Sequence, residues 1–418
     1  MNGSGSLGVW RGAALYVGAL VGPGLLLVPA LATEAAGPAS IVAWVALLVL
    51  SAPLAITFAV LGVMHPVSGG VAAYAREAFG PRAAGVTGAC FMGAVVIGGP
   101  AVALIGGNYV ADLTGTGSHT ATAAALAMVA TVIAANLFGL RISSGLQLGL
   151  STVLVAVVVL AVGGTLPSHA GENWHPFAPH GWWAVGTAAN ILMWLFVGWE
   201  AMAQLAGEFR RPEVELPRAA AIAFAVVAVL YLGLATATIT VTGGTRSDVP
   251  LADLIEVGFG KAGRDAAAVL AAALTMGTMN VYLGGSARLA AALAKDGALP
   301  AWLGAERGRS IPRRPLLVLS VTTPCLLLAL AAGFSSTTSL VRASSACFVA
   351  VYLLALAAAV KILPGRLRLA AIVALALVVV VAAFSSVFVA VPVVIAVASV
   401  WFQRRSLNGR RTTAARSS

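Results

Sequence analysis

The sequence predicts an all-α protein that crosses a membrane many times. Its 418 residues are 60% hydrophobic and only 9% charged, with a mean hydropathy of +0.97, whereas soluble domains are about a quarter charged. The apolar residues also form long blocks and do not alternate with polar residues, which argues against a transmembrane barrel. The chain therefore belongs to the class of helical, polytopic membrane proteins.

Twelve blocks of the length that crosses a hydrocarbon core, about 17 to 25 apolar residues, follow one another along the chain. They begin near Trp10, Ile41, Ala83, Thr120, Ser144, Trp183, Ala219, Arg264, Leu316, Ser339, Leu367 and Val387. We therefore predict twelve transmembrane helices. Residues 10–167 form a first unit of five helices and 183–362 a second, followed by two helices over 366–403 and a basic tail over 404–418.

The basic residues indicate the orientation of the chain. The net charge of +11 lies between the apolar blocks and is not spread over a soluble face, so no nucleic acid partner is expected. With twelve spans, all but four of the 25 lysines and arginines fall on one side of the membrane. The exceptions are Arg246, Lys261, Arg264 and Arg342. By the positive-inside rule, both termini lie in the cytoplasm.

Two of the predicted spans contain residues that interrupt a helix. The first span contains Gly22-Pro23-Gly24, in which proline removes an N–H donor and the glycines permit unusual dihedral angles. The sixth contains Phe196-Val197-Gly198-Trp199-Glu200. Five spans separate the two breaks, and an odd number of spans per unit inverts the second unit relative to the first. The alternative is that these residues only allow close packing or a kink.

Glu200 is the one carboxylate that this topology places deep in the membrane. A charge there costs at least about 2.5 kcal/mol, so the group needs a polar partner, a water-filled path or a proton. A carboxyl that exchanges between neutral and charged forms at this depth suits proton uptake and release. In the alternative, Glu200 accepts hydrogen bonds from the frayed backbone and never titrates.

Five segments, taken in order, resemble the amino acid–polyamine–organocation transporter superfamily over nearly the whole chain. They are Gly22-Pro23-Gly24-Leu25-Leu26 with Pro29, Pro66-Val67-Ser68-Gly69-Gly70 through Tyr74 with Phe79-Gly80, Phe196 to Ala201, Glu208-Phe209-Arg210-Arg211-Pro212 with Leu216-Pro217-Arg218-Ala219, and Arg288 with Ala294-Lys295-Asp296-Gly297-Ala298-Leu299-Pro300. The resemblance implies a LeuT-like fold of two inverted five-helix repeats plus two C-terminal helices. In that fold a bundle of spans 1, 2, 6 and 7 rocks against a scaffold of spans 3, 4, 8 and 9.

The resemblance also implies a site for a small amino acid between the two breaks. The residues at the corresponding positions are Leu20, Gly22, Gly24, Leu25, Trp194, Phe196, Val197, Gly198 and Tyr282. The N–H groups of Gly24 and Leu25 can face the substrate carboxylate at the start of a half-helix. By family position, the carbonyls of Leu20, Trp194 and Val197 receive the ammonium group.

Trp194 and Tyr282 of this site stand where relatives place pore aromatics. They are therefore candidate gates over an apolar substrate side chain. Ordinary helix packing is the alternative role for the aromatic residues beside the break. Pro23 stands where relatives often have serine or threonine, which predicts weaker binding of the carboxylate. Without a second charge in the membrane to pair with a charged substrate side chain, neutral apolar amino acids are favoured.

Glu200 is the predicted proton-coupling residue. The fifth span, from Gly145 to Gly163, lacks the lysine that provides a fixed positive charge in some relatives. Sodium is a less favoured coupling ion, because Thr275 and Thr278 of the eighth span are too generic to indicate a sodium site.

The sixth-helix region is most similar to that of bacterial exporters of methionine and branched-chain amino acids. We therefore expect a proton-coupled exporter of methionine, leucine, isoleucine and valine in a bacterial inner membrane, with the lipid bilayer around it. The alternatives are a permease that imports amino acids or amines and a non-transporting amino acid sensor. The sequence makes no prediction of the oligomeric state.

Other chemistries find little support in the sequence. No Ser/His/Asp or Cys/His set and no Walker loop is present, so we expect neither an enzyme nor a cofactor. The predicted outer loop, Leu166 to Trp182, carries His169, Glu172, His175 and His180. Their spacing fits no compact set of metal ligands, so a solvated polar loop is favoured over a metal or pH-sensing site.

Overall fold

The computed structural model describes residues 7–65, 70–138, 144–165, 171–304 and 311–417. Four residues of the second predicted motif, Pro66 to Gly69, and His169 of the outer loop lie outside these ranges. Within them the regular structure is helical, and the only strand-like feature is an isolated bridge between Leu7 and Phe209. The helices are α1 (Val9–Leu20), α2 (Val28–Ala36), α3 (Ser40–Met64), α4 (Val71–Phe79), α5 (Pro81–Leu113), α6 (Ser118–Leu137), α7 (Ser144–Thr165), α8 (Trp183–Leu192), α9 (Ala201–Leu205), α10 (Pro212–Thr242), α11 (Pro250–Lys295), α12 (Arg313–Ala331), α13 (Thr337–Ile362), α14 (Gly365–Ala383) and α15 (Ala390–Ser417).

Ten helical segments of the described chain are long and apolar enough to cross a membrane. In this count α2 and α3 run together as the single segment Val28–Met64, and the apolar helix Trp183–Leu195 is too short to be included. The predicted first and sixth spans are each divided by non-helical backbone into pieces of at most 12 residues. The prediction of an all-helical, multi-pass membrane protein is confirmed.

The sequence places residues that start and stop helices at the ends of the long spans. Pro81, Pro212 and Pro250 stand at the first turns of α5, α10 and α11, where the missing N–H of proline costs no hydrogen bond. Gly243 ends α10 in the left-handed conformation that glycine adopts without steric cost. The spans are therefore bounded by local sequence and are apolar in between.

α5 is the central helix of the packing. It lies along α6, α11 and α13, while α3 packs on α8, α10 and α14. Small residues let these helices approach closely, as is typical of membrane interiors. A methyl group added to Gly107 of α5 would lie 2.1 Å from the Ala121 carbonyl oxygen of α6. The two backbones are therefore in direct contact at that point.

One face of the protein carries Leu7 and the last turns of α11, α13 and α15; it is called the terminal face below. There Leu7 N–H donates to the Glu208 carbonyl at 3.0 Å, and Arg210 N–H donates to the Leu7 carbonyl at 3.3 Å. This pairing ties the start of α1 to the segment that follows α9. The ion pair between Arg76 and Asp296 joins α4 to the end of α11 on the same face.

The opposite face is called the distal face below. There the end of α2 and the α2–α3 junction contact the residues that precede α8. Ala39 N–H donates to the Phe177 carbonyl at 2.8 Å, and His180 Nδ1 lies 3.1 Å from the Ala35 carbonyl oxygen. Gly37 has φ 62° and leaves no room for a side chain beside Pro179.

Among the described histidine, cysteine, aspartate and glutamate residues, no group of three or more is arranged to hold a metal ion.

A network of charges completes the distal face. Arg264 of α11 forms two hydrogen bonds with Asp112 at the end of α5, at 2.6 and 2.9 Å. It also pairs with Asp253 at 2.8 Å and with Glu256. Between these partners α11 bends at Gly260, which has φ 64°. The arginine therefore holds both arms of the bent helix against the central helix.

We expect Gly107→Ala to destabilise the protein, because the carbonyl that its methyl group would meet belongs to the backbone of α6 and cannot rotate away. The expected cost is about 1–3 kcal/mol. Gly149→Ala is the matched control, since Gly149 is exposed on α7 and a methyl group there meets no atom within 4 Å. Thermal unfolding in detergent measures both variants, and equal melting temperatures would contradict the expectation.

Candidate functional site

The first break lies between α1 and α2. α1 ends at Leu20, Val21 and Gly22 are extended, and Pro23–Leu26 form a single 3₁₀ turn before α2 begins. The N–H of Leu25, predicted to face a carboxylate, donates to the Gly22 carbonyl at 3.1 Å within this turn. The proline and its two neighbouring glycines thus interrupt the helix at the predicted position.

The second break lies between α8 and α9. A 3₁₀ turn over Met193–Phe196 leads into Val197, which is extended, and Gly198, which has φ 131°. Only glycine adopts that dihedral angle readily. A methyl group at Gly198 would also lie 3.0 Å from the Ala19 carbonyl oxygen of the first break. The second break therefore lies against the end of α1, where the first break begins.

Tyr231 of α10 joins the two breaks through its hydroxyl group. The hydroxyl oxygen lies 2.8 Å from the Leu20 carbonyl oxygen and 3.0 Å from the Leu195 carbonyl oxygen, so the two carbonyl groups share its single hydrogen. Its ring is fully buried between Trp44 of α3 and Phe196. One side chain from a third helix thus satisfies a carbonyl group on each side of the junction.

Two further buried tyrosines serve the same breaks. Tyr109 of α5 donates to the Leu26 carbonyl at 2.9 Å and accepts from Leu251 N–H at 3.2 Å. Tyr352 of α13 lies with its hydroxyl 3.4 Å from the Phe196 carbonyl oxygen. Tyr109 and Tyr231 therefore donate to carbonyl groups of the breaks, and Tyr352 lies beside the second break.

Glu200 follows the second break and is 7% exposed. Its Oε2 accepts from the Tyr352 hydroxyl at 2.6 Å and from Gly198 N–H at 2.9 Å. Among the described residues, no lysine, arginine or histidine forms a salt bridge with it. The buried carboxylate is held by neutral donors of the break and of α13.

A cavity lies between the breaks and the central helix α5. The empty space there amounts to about 570 Å³, a figure that includes open solvent at its mouth. Its lining residues are Ala19, Leu20, Pro23, Gly24, Ala94, Val95, Gly98, Gly99, Val102, Trp194, Leu195, Val197, Tyr282 and Phe348. None of these is charged, so the described walls offer apolar surface together with the backbone groups of the breaks.

The predicted site residues divide into those that line this cavity and those that support it. Leu20, Gly24, Trp194, Val197 and Tyr282 line it. The remaining predicted residues are outside the lining: Gly22, Leu25, Phe196, Gly198 and Glu200. The cavity therefore combines both breaks with the two aromatic residues expected to act as gates.

One wall of the cavity is absent from the sequence-based prediction. α5 contributes Ala94, Val95, Gly98, Gly99 and Val102, and α13 contributes Phe348. A methyl group added at Gly98 would lie 3.3 Å from the Trp194 ring, whereas one at Gly99 would meet nothing within 4 Å. The repeated glycines at Gly98 and Gly99 are the sequence signal for a helix that another group approaches closely.

The two threonines considered for sodium have partners elsewhere. The Thr275 hydroxyl donates to the Ala271 carbonyl of its own helix at 2.7 Å. The Thr278 hydroxyl accepts from Gln147 of α7 at 3.4 Å. Both hydroxyl groups are thus engaged by α11 and α7.

The cavity is closed more firmly on the distal side than on the terminal side. Tyr109 links the first break to the start of α11, and the contacts of Ala39 and His180 lie beyond it. On the terminal side, α1 and α9 pack on α3, α7 and α10, and neither packs extensively on α5 or α11 in the described structure. The terminal half of the site is therefore its looser half.

Comparison with known proteins gives consistent matches over nearly the whole length. The amino acid permease family matches residues 7–406. An uncharacterized amino acid permease of Bacillus subtilis, YecA, is 34% identical over 408 residues, which cover 94% of each chain. The L-methionine/branched-chain amino acid exporter YjeH of Escherichia coli is 30% identical over 375 residues, 88% of each chain. The putrescine transporter PotE of Escherichia coli is 27% identical over 223 residues, 52% of this chain and 50% of that protein.

We expect Tyr231→Phe to destabilise the fold by about 1–3 kcal/mol, because two buried carbonyl groups lose their donor where water is absent. Tyr74→Phe is the matched control. Tyr74 is equally buried, but its hydroxyl lies 3.4 Å from the His65 carbonyl outside the breaks. Its expected cost is below about 0.5 kcal/mol. Apparent melting temperatures in detergent provide the comparison, and a Tyr74→Phe effect as large as that of Tyr231→Phe would refute it.

Proposed function

The chain belongs to the amino acid permease family of the amino acid–polyamine–organocation superfamily, and on this premise we propose that it is a secondary active transporter of neutral apolar amino acids. The observation that carries the proposal is the cavity between the two breaks, whose described walls are apolar and uncharged. A zwitterion needs donors for its carboxylate and acceptors for its ammonium group, and a broken helix exposes both without a fixed charge.

We propose the following architecture for this activity. Twelve spans form two inverted five-helix repeats, 10–167 and 183–362, followed by two helices over 366–403. The α1–α2 and α8–α9 pairs are the first and sixth spans. The terminal face is cytoplasmic, in agreement with the positive-inside rule, and bears the basic tail over 404–418. Alternating access then opens the cavity to one face at a time.

The roles of the lining residues follow from their positions. The N–H group of Gly24 in the first break donates to the substrate carboxylate. Carbonyl groups at the second break, together with that of Leu20, receive the ammonium group. Trp194 and Tyr282 enclose the side chain, and α5 sets the depth of the pocket through Gly98 and Gly99. This arrangement suits methionine, leucine, isoleucine and valine, whose side chains are apolar and of similar size.

We further propose that transport is export driven by protons, with Glu200 as the proton-binding residue. The identity to the methionine and branched-chain exporter supports the direction and the substrates. Burial of Glu200 among neutral donors supports a group that a single proton can neutralise. Sodium coupling is less favoured, because Thr275 and Thr278 are too generic to indicate a sodium site.

Two other transport functions and one signalling function are the alternatives. Uptake of amino acids differs from export only in the gradients and affinities that drive it. Amine transport is supported by the partial match to a putrescine transporter, but a cationic substrate calls for a carboxylate in the wall, and the described lining has none. A non-transporting sensor would use the same cavity to bind an amino acid without moving it.

Counterflow of labelled methionine, leucine, isoleucine and valine in proteoliposomes tests the proposal. Wild-type protein is expected to exchange these substrates and to accumulate them against their gradient when a pH gradient is imposed. Glu200→Gln is expected to retain exchange at saturating substrate and to lose gradient-driven accumulation, because the amide cannot bind or release the proton.

Each failure in this experiment has a separate meaning. Absence of exchange by folded wild-type protein, with putrescine exchanged in parallel, would replace the substrate assignment by amines. Binding without exchange would favour the sensor. Gradient-driven accumulation that persists in Glu200→Gln would remove Glu200 from the coupling step.

We expect Gly99→Ala to narrow the pocket selectively, because its methyl group enters the cavity without meeting another atom. Affinity for leucine and methionine is expected to fall about tenfold relative to alanine, the effect of about one methylene group in an apolar pocket. Gly149→Ala on the exposed face of α7 is the control. It should leave the affinity for leucine and methionine, relative to that for alanine, unchanged. An equal loss of affinity for every substrate, alanine included, would show that Gly99 does not contact the substrate side chain.

A further inference from the structure

A second cavity lies beside the first, between α5, α11 and α12. Its empty space amounts to about 350 Å³, a figure that includes open solvent. The two cavities share four lining residues, Val95, Gly99 and Val102 of α5 and Tyr282 of α11. None of the residues that line the second cavity is charged, and most of them are apolar. The second cavity therefore continues the uncharged interior of the first toward α12.

The two cavities meet at Gly99. A methyl group added there would meet no atom within 4 Å, so no other group covers this side of α5. Tyr282 borders both cavities and is 46% exposed, although it lies within the apolar part of α11. A group held in the first cavity can therefore extend past Gly99 and the Tyr282 ring into the second.

Proline residues lie beside the second cavity on two helices. Pro100 follows Gly99 in α5, and Pro324 follows Thr323 in α12. A proline inside a helix removes one hydrogen bond and bends the helix, because its ring opposes the carbonyl four residues earlier. In α5 that carbonyl belongs to Val96, which lines the second cavity. The local sequence of both helices therefore disfavours close packing where the space lies.

Two hydroxyl groups line only the second cavity. They belong to Ser286 of α11, which is 4% exposed, and Thr323 of α12, which is 2% exposed. Neither hydroxyl group has a hydrogen-bond partner among the described residues. A buried hydroxyl without a partner is costly, so these groups suit a ligand that brings an acceptor with it. The apolar walls around them exclude a charged ligand.

We propose that the second cavity receives the thioether end of methionine, so that the site prefers this unbranched substrate to valine. This inference rests on the proposed function and deepens it. The side chain of valine ends at its two Cγ atoms, whereas that of methionine continues through Sδ to Cε. The chain of methionine is flexible enough to pass Gly99, and its sulfur is a weak acceptor for the hydroxyl groups of Ser286 and Thr323.

Binding of labelled methionine and valine to purified protein tests the role of the second cavity. Thr323→Ile fills that cavity and leaves the first one unchanged, because Thr323 lines only the second. Affinity for methionine is expected to fall about tenfold, the effect of about one methylene group in an apolar pocket, with affinity for valine unchanged. Thr322→Ile is the matched control, since this neighbouring threonine of α12 lines neither cavity. It should preserve the methionine-to-valine ratio.

A variant that enlarges the cavity tests the same inference without overpacking. Val96→Ala removes two methyl groups from a wall that only the second cavity has. Affinity for ethionine, which is one methylene longer than methionine, is expected to rise about tenfold relative to methionine. Val110→Ala is the control, because Val110 is a partly buried valine of the same helix that lines neither cavity.

Norleucine tests the role of the hydroxyl groups, because it carries a methylene group in place of the sulfur of methionine. Thr323→Val removes the hydroxyl and keeps the shape of the side chain. The affinity for methionine, relative to that for norleucine, is expected to fall about threefold in this variant, the effect of one neutral hydrogen bond.

The outcomes distinguish this inference from the proposed function. Absence of binding of both methionine and valine by folded wild-type protein overturns both. If the wild-type protein binds these amino acids, an unchanged methionine-to-valine ratio in Thr323→Ile overturns the inference and leaves the transport proposal intact. An unchanged ethionine-to-methionine ratio in Val96→Ala, or an unchanged methionine-to-norleucine ratio in Thr323→Val, does the same.

Discussion

The fold depends on satisfying backbone polar groups where a membrane offers no water. Each of the two interrupted spans frees carbonyl and amide groups that a continuous helix would bond internally. Tyrosine hydroxyls on α5 and α10 provide donors for the carbonyl groups, and the hydroxyl on α13 donates to the carboxylate that follows the second break. Each hydroxyl comes from a different helix. The same hydrogen bonds therefore fix the interrupted segments and tie the surrounding helices to them. Cavity, carboxylate and helix packing are consequences of this one arrangement.

The sequence predicts the parts of this structure that local rules determine. Long apolar blocks identify the spans. Glycine and proline identify the first interruption, which begins directly after α1 ends at Leu20, and Gly198 identifies the second, which follows the 3₁₀ turn after α8. Five of the nine substrate residues predicted from the resemblance line the cavity. The sequence does not determine which individual residues beside an interruption line the cavity, because a side chain there can point toward the cavity or away from it. Phe196 illustrates this, since its ring packs on Trp44 and Tyr231.

The tyrosines and the α5 wall could not be predicted, because their partners are far away along the chain. Tyr231 lies 211 residues from Leu20, and Tyr352 lies 152 residues from Glu200. In an apolar span a tyrosine resembles any interfacial aromatic residue until its acceptor is known. The useful signal is physical: a tyrosine deep in a span must find an acceptor, and an interrupted helix must find a donor. Matching buried tyrosines to interrupted helices reduces the number of tyrosines that need to be considered as donors.

The short pairing of Leu7 with the segment after α9 has a mechanical consequence. It clamps α1 to the chain that continues from α9, so these two half-helices form one rigid lever on the terminal side. Both half-helices pack on other helices, α1 on α10 and α9 on α3, and neither packs extensively on α5 or α11 in the described structure. The two half-helices are therefore joined at two places, at the tyrosine-bound junction in the interior and at the Leu7 pairing on the terminal face.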